Sequence, residues 1–236
     1  MSKLKIAAWS TIVLAIVIAW LCLRSPHLFP IQIVQIDGNY WRISESAITH
    51  AVDPEMQASF FHGNLTKIRK AVLNLSPWIE SVDITRAWPN TYRVTILQKQ
   101  PYALWNDDGV MAQSGEVFYP EGEQILPDNL PVFSGAVDQK EAIRENYFTM
   151  QQAIQALGLQ IAKIEVSAEG NWQITFNNQT IVMLGNHDIL GRFDRFIAIY
   201  KQLVAEQQKT PAYIDMRYSH GVAVKWASIE EEHGKA

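Results

Sequence analysis

The longest apolar segment of the chain lies near its amino terminus. Between Lys5 and Arg24, the eighteen residues Ile6–Leu23 carry no charged side chain. A helix of about 20 apolar residues crosses the hydrocarbon core of a bilayer. The pattern therefore predicts a transmembrane helix at residues 6–23, with a short stub at residues 1–5 on one side and the rest of the chain on the other.

The end of this segment argues against a cleaved signal peptide. A secretory signal has a shorter apolar region followed by small residues, whereas bulky Trp20 and Leu21 stand before Cys22 here. We therefore expect the segment to be retained as an anchor. Lys3 and Lys5 favour a cytoplasmic stub, because positive charge accumulates on the cytoplasmic side of membrane helices.

Residues 31–98 change from period-two alternation to helical spacing and back. Strands are predicted at Ile31–Ile36, Val82–Arg86 and Tyr92–Ile96. Helices are predicted after Ser44 and after Asn64, the first of them stopping near Pro54. The order β-α-α-β-β predicts a small α+β module, with two helices on one face of a three-stranded sheet.

The pattern of residues 99–227 predicts further short strands with helices between them. A helix is expected to begin with a capping box of Asp138 and Glu141 and to end at Gly158. A second helix is predicted near Ile189–Leu203. The predicted strands lie near Ala103–Trp105, Val110–Ala112, Val117–Tyr119, Trp172–Phe176, Thr180–Leu184, Ala212–Tyr218 and Val222–Trp226. We expect an antiparallel β domain with packed helices, followed by a frayed tail at residues 228–236.

The charge and cysteine content narrow the class of protein. After Lys5 the chain carries 18 Lys and Arg against 24 Asp and Glu, a formal charge of −6. This balance argues against a nucleic-acid binder, which would present a basic stripe. The single cysteine lies within the apolar segment, so no disulfide forms within the chain and packing alone must hold the large domain together.

No motif for catalysis stands out. The six histidines lack metal-ligand spacing, and neither an H-E-x-x-H nor a G-x-S-x-G motif is present. Asp107 and Asp108 could be paired carboxylates, but their place beside Gly109 favours a hairpin turn. We therefore expect no enzymatic activity, no cofactor, no metal and no small-molecule substrate.

Several short strings of this sequence, taken together, resemble the FtsQ/DivIB family of bacterial cell-division proteins. Ser76–Ile79 and Thr85–Asn90 resemble its P-W-V … R-x-W-P-[DN] pattern. The resemblance continues through Pro101–Trp105, Ser114–Phe118, Leu130–Gly135, Leu184–Gly185 and Asp215–Trp226. Each string is weak alone, but their order and spacing extend over nearly the whole chain.

The resemblance implies a single-pass type II protein of the bacterial inner membrane, located at the division septum with most of the chain periplasmic. It implies a POTRA module at residues 31–98 and an FtsQ-type β domain at residues 99–227. It further implies a non-enzymatic divisome scaffold that binds FtsB, FtsL and other divisome proteins and regulates septal peptidoglycan synthesis. An anchored cell-wall enzyme and a POTRA-type assembly factor are the alternatives.

In this family the partner site lies largely on the last strand of the β domain. The matching residues here are Tyr218, His220, Gly221, Val222, Lys225 and Trp226. Elementary geometry agrees, since a last strand with no later neighbour leaves main-chain groups free for a partner strand. This chain departs from the family at Glu169, where some members carry a basic residue. We interpret Trp78 and Trp88 as packed in the core or turn rather than as partner contacts.

Overall fold

The computed structural model describes residues 3–25, 27–40, 42–122, 126–207, 210–219 and 221–227. Contacts divide the chain into two compact units, residues 1–99 and 100–236. Each unit has its own hydrophobic core. The expected tail at residues 228–236 lies outside the described residues.

The first unit begins with helix α1, which spans Lys3–Arg24. From Trp9 onwards its large apolar side chains are exposed, as at Trp9 (68%) and Ile16 (62%). Within the described residues, no helix combines the length and the apolar character that a membrane span requires. The Ser59 hydroxyl donates a hydrogen bond to the Leu23 carbonyl at 2.6 Å, which ties the end of α1 to the rest of the unit.

The remainder of the first unit confirms the predicted β-α-α-β-β order. Its elements are β1 (Ile33–Asn39), α2 (Glu45–Met56), α3 (Leu65–Leu73), β2 (Ile79–Ala87) and β3 (Thr91–Gln98). The sheet order is β1-β3-β2, with β1 parallel and β2 antiparallel to β3. This arrangement is an α+β module with a three-stranded mixed sheet.

Side chains at the predicted positions cap the two helices of this module. The Ser44 hydroxyl accepts a hydrogen bond from the Ala47 N–H, and the Asn64 amide oxygen accepts from both Thr66 and Lys67. The predicted stop near Pro54 is two residues early, because α2 continues to Met56. Pro54 lies in the last turn, so its missing N–H costs one main-chain bond without ending the helix there.

The two tryptophans of the module have different environments. Trp78 is only 3% exposed, and the Arg42 guanidinium lies 3.8 Å from the centre of its ring. Packing is thus confirmed for Trp78. Trp88 is 77% exposed, so the expectation that it packs is wrong. It lies in the turn beyond Ala87, the last paired residue of β2.

The second unit contains nine strands and two α-helices in its described part. Its elements are β4 (Pro101–Trp105), β5 (Gly109–Ala112), β6 (Val117–Phe118), β7 (Val132–Ser134), α4 (Lys140–Ala153), β8 (Ile161–Val166), β9 (Trp172–Phe176), β10 (Ile181–Gly185), α5 (Ile189–Gln207), β11 (Pro211–Asp215) and β12 (Ala223–Trp226). All nine strands join one sheet in the order β12-β11-β10-β9-β8-β7-β4-β5-β6.

This sheet is mixed, which corrects the expectation of an antiparallel domain. Strand pairs β4–β7, β7–β8 and β10–β11 are parallel, and the remaining pairs are antiparallel. Helix α4 lies between β7 and β8 along the chain, and α5 lies between β10 and β11. A helical crossover returns the chain to the same end of the sheet, so the strands that it joins run parallel.

Both predicted ends of α4 differ from the structure. The α-helix ends at Ala153, before the predicted end at Gly158, and a short 3₁₀ turn at Gln155–Leu157 follows it. Gly158 closes that turn with the left-handed φ of 68° that glycine adopts freely. The prediction of a capping box formed by Asp138 and Glu141 is wrong. Residues Val137–Gln139 form a 3₁₀ turn before α4, and the Gln139 side chain accepts a hydrogen bond from the Ala136 N–H.

Candidate partner-binding edge of the sheet

Strand β12 is one of the two end strands of the nine-stranded sheet. It pairs antiparallel with β11 on one side, with Tyr213 opposite Lys225, Ile214 opposite Val224, and Asp215 opposite Ala223. No described strand lies on its other side. One long side of β12 is therefore open to a further strand.

The side chains of β12 alternate between the core and solvent. Val224 is half-buried and packs against the hydrophobic core, as does Val222 just before the strand. Ala223 and Lys225 are exposed. Trp226 is half-buried on the same face as Val224. Burial of this one face holds β12 on the sheet while its outer main-chain edge stays uncovered.

The register shows which main-chain groups of β12 point outwards. The Met216 N–H donates to the Met183 carbonyl of β10 at 2.9 Å, so alternation turns the main-chain groups of Tyr213 and Asp215 towards β12. Hydrogen-bonded and non-hydrogen-bonded pairs alternate in an antiparallel ladder. The main-chain N–H and C=O groups of Ala223 and Lys225 therefore point towards β11, and those of Val224 point away from the sheet.

The structure brings most of the predicted site residues to this edge. Lys225 and Trp226 belong to β12, and Gly221 and Val222 lie in the connection that precedes it. Tyr218 is 59% exposed in the same connection. A shallow cavity of about 430 Å³ lies beside these residues, lined by Tyr218, Ser219, Gly221, Val222 and Ala223. His220 lies outside the described residues.

An arginine that sequence reasoning missed holds the connection between β11 and β12. Arg195, on α5, donates from its guanidinium to the carbonyls of Met216 and Tyr218, each at 2.7 Å, and to that of Ser219 at 3.1 Å. Nothing in its sequence context, an arginine on the polar side of an amphipathic helix, distinguishes it from a solvent-exposed residue.

A second ionic contact stabilises the end of β11. The Arg217 guanidinium makes charge-assisted bonds to both oxygens of the Asp215 carboxylate, and the Arg217 N–H also donates to Oδ1. These hydrogen bonds hold the pKa of Asp215 below its ordinary value, although burial acts in the opposite direction. The Arg217 side chain is 52% exposed, so a basic group borders the open edge.

Glu169, where the resemblance predicts a departure from the family pattern, lies in the exposed loop between β8 and β9. Its carboxylate accepts a hydrogen bond from the Ser167 hydroxyl at 2.7 Å, which lowers the pKa of Glu169. The Asn186 side-chain amide donates a hydrogen bond to the main-chain carbonyl of Glu169 at 3.4 Å. The Glu169 side chain is thus engaged by a local hydrogen bond within its own loop.

The described residues contain no candidate metal site. Among the described residues, no three or more His, Cys, Asp and Glu side chains lie together as metal ligands would. Asp107 and Asp108 occupy the turn between β4 and β5, as the turn interpretation predicts. A second open cavity of about 500 Å³ is lined by Tyr102 of β4, by Gln113 just after β5, and by residues of α4 that include Arg144 and Phe148.

Comparison with known proteins agrees with this architecture. Residues 103–217 match the family profile of the C-terminal region of cell division protein FtsQ/DivIB, and residues 29–97 match the FtsQ-type POTRA domain. The chain is 31% identical over 209 residues to cell division protein FtsQ of Allochromatium vinosum, covering 88% of this chain and 83% of that protein.

Two further relatives extend the likeness. FtsQ of Shewanella oneidensis is 31% identical over 208 residues, covering 88% of this chain and 78% of that protein. FtsQ of Coxiella burnetii is 28% identical over 204 residues, covering 86% of this chain and 83% of that protein. With both family profiles placed in order on two folded units, the chain belongs to the FtsQ/DivIB family of cell division proteins.

Proposed function

We propose that this protein is a membrane-anchored, non-enzymatic scaffold of the divisome that receives a strand of FtsB at the open edge of β12. The observation that carries the proposal is the outward-facing main chain of Val224 on an end strand, in a chain of the FtsQ/DivIB family. A partner strand that adds to such an edge gains main-chain hydrogen bonds along its length. Through FtsB and FtsL, the scaffold regulates septal peptidoglycan synthesis.

The side chains around the edge support recognition by more than main-chain bonding. Tyr218 presents an exposed aromatic ring beside the shallow cavity, and aromatic residues dominate the binding energy of many interfaces. Gly221 adds no side chain to the wall of that cavity. Lys225 lies on the exposed face of β12, and Trp226 supplies a second aromatic ring.

The proposal includes an anchor at residues 6–23, with the large domain in the periplasm. Its support is the run of eighteen uncharged residues and the helical conformation of this run within α1. The exposed apolar side chains of α1 find no covering surface within the described part of the chain. Contact with lipid would remove this apolar surface from water.

Proline at Val224 tests the proposal directly. Proline removes the N–H that faces the partner, whereas Val224→Ala keeps that N–H and loses only side-chain packing. Full-length protein in detergent is titrated with the periplasmic segment of FtsB. Relative to Val224→Ala, Val224→Pro should lower the affinity at least tenfold while the melting temperatures of the two variants stay within a few degrees.

Two results would contradict edge-strand addition. One is normal FtsB affinity in folded Val224→Pro. The other is wild-type protein that binds neither FtsB nor FtsL in pull-down, in which case the alternatives, a cell-wall enzyme or an assembly factor, would be tested by peptidoglycan turnover and by membrane-protein insertion assays. Ala223→Pro provides a comparison, because it removes an N–H that faces β11 and should loosen the edge itself.

A further inference from the structure

The guanidinium of Arg195 is committed to one short segment of main chain. Its three donated hydrogen bonds all end on carbonyls of the β11–β12 connection, at Met216, Tyr218 and Ser219. Its Nε is buried and has no hydrogen-bond partner among the described residues. The terminal nitrogens of Arg195 thus bind the connection, and its Nε has little contact with water.

These three carbonyls lie within four consecutive residues that lead towards the open edge. A planar guanidinium presents its donors in a fixed fork, so three simultaneous bonds determine the orientation of three peptide groups. Met216 is fully buried, whereas Tyr218 is exposed. Arg195 therefore joins the buried end of this segment to its exposed part, from an element that is itself packed in the core through Phe193 and Phe196.

We infer that Arg195 is a positioning residue, which orders the β11–β12 connection before the partner strand arrives and so presents Tyr218 and the start of β12 in the bound arrangement. This inference rests on the proposed function and adds to it a residue outside the edge. A site that is ordered in advance avoids the entropy cost of ordering on binding. Affinity then falls in proportion to the fraction of molecules whose connection is ordered.

Arg192, one turn earlier on α5, offers a matched control. Its guanidinium donates to the carbonyl of Leu184 in β10, not to the connection. Lysine keeps the charge at either position but cannot reproduce the planar fork. Arg195→Lys and Arg192→Lys therefore change the same chemistry on the same helix, and only the first alters the support of the β11–β12 connection.

The test combines amide hydrogen exchange of the unbound full-length protein with titration by the FtsB periplasmic segment. In Arg195→Lys we expect faster exchange confined to residues 216–219 and 223–226, together with an affinity loss of about tenfold. Arg192→Lys should leave both unchanged. Arg195→Gln should extend the series, with the loss of affinity following the increase in exchange at the connection.

The outcomes separate this inference from the proposed function. If wild-type protein fails to bind FtsB, the proposed function fails, whereas exchange in the unbound protein still reports whether Arg195 orders the connection. If wild type binds and Arg195→Lys exchanges faster at the connection with unchanged affinity, the positioning role is overturned. Faster exchange across the whole sheet in Arg195→Lys would overturn it as well, by making Arg195 a residue of general stability.

Discussion

Asp215 and Arg217, two residues apart at the end of β11, form a two-point ion pair. The Arg217 Nε lies 2.9 Å from Asp215 Oδ1, and its Nη2 lies 2.7 Å from Oδ2. The Asp215 side chain is only 6% exposed, so the Arg217 guanidinium offsets the cost of burying the carboxylate charge. The pair lies where β11 leads into the connection to β12.

The first prediction concerns acid pH. The pKa of Asp215 is lowered in the folded protein, so the pair contributes stability above the ordinary aspartate pKa of about 3.9 and loses it as pH falls through the lower, folded value. Asp215→Asn should therefore reduce the stability at pH 7 by about 1–2 kcal/mol. Below about pH 4 the difference from wild type should shrink. Thermal midpoints from pH 2.5 to 7 measure it.

The control for this experiment is Asp194→Asn, which removes an exposed carboxylate from α5. Its thermal midpoint should stay parallel to that of wild type over the whole pH range. A constant difference between Asp215→Asn and wild type down to pH 2.5 would contradict the assigned role of the ion pair.

The second prediction contrasts the two tryptophans of the POTRA module. Trp78→Ala removes a side chain that is 3% exposed and should destabilise the protein by about 3–5 kcal/mol, because it leaves a cavity. Trp88→Ala removes one that is 77% exposed and should change stability by no more than about 0.5 kcal/mol. Denaturant unfolding of both variants tests this contrast, and equal losses would refute it.

The third prediction concerns the aromatic residue beside the edge. Tyr218 is 59% exposed, and Tyr119, which follows β6 at the opposite end of the sheet, is 54% exposed. Neither Tyr→Ala change should alter the melting temperature appreciably. Tyr218→Ala should weaken FtsB binding by about 2 kcal/mol or more, as truncation of an interface hot spot does, whereas Tyr119→Ala should bind normally. Equal affinities in calorimetric titrations would remove Tyr218 from the site.

The fourth prediction concerns the amino-terminal helix. Because the apolar segment lacks the small residues of a cleavage site, we expect the isolated protein to begin at or near Met1. A reporter that is active only outside the cytoplasm should function when fused after Ala236. Sequencing that finds a mature amino terminus beyond Leu23 would contradict retention, and activity of a cytoplasm-only reporter at the same fusion site would contradict the orientation.

Local patterns were sufficient to predict the individual elements of the POTRA module. The helix caps at Ser44 and Asn64 follow from short-range geometry, since each involves hydrogen bonds within a few residues. The side chains of β12 follow the period-two alternation of a strand, with Val224 turned towards the core and Lys225 towards solvent. The short strings that resemble the FtsQ/DivIB family then indicated a role in cell division without any information on contacts between distant residues.

Strand pairing depended on contacts that periodicity does not encode. Strands β7 and β8 were not predicted. Val132–Ser134 is too short to show an alternation, and the alternation of Ile161–Val166 is broken by a register shift between Ile161 and Lys163. Without them, the parallel pairs on either side of β7 could not be anticipated. The exposure of Trp88 was misjudged for a related reason, because hydrophobicity does not reveal whether a turn is covered.

The sequence by itself determined the class of element at most positions, the apolar amino-terminal segment and the family of the chain. Only the tertiary structure decided that β12 ends a mixed sheet with the main-chain N–H and C=O of Val224 facing outwards, and that Arg195 reaches carbonyls 21 to 24 residues further along the chain. The physical reason is that these contacts involve main-chain groups. Every residue carries a carbonyl, so the side chains in the sequence do not mark which carbonyls an arginine will bind.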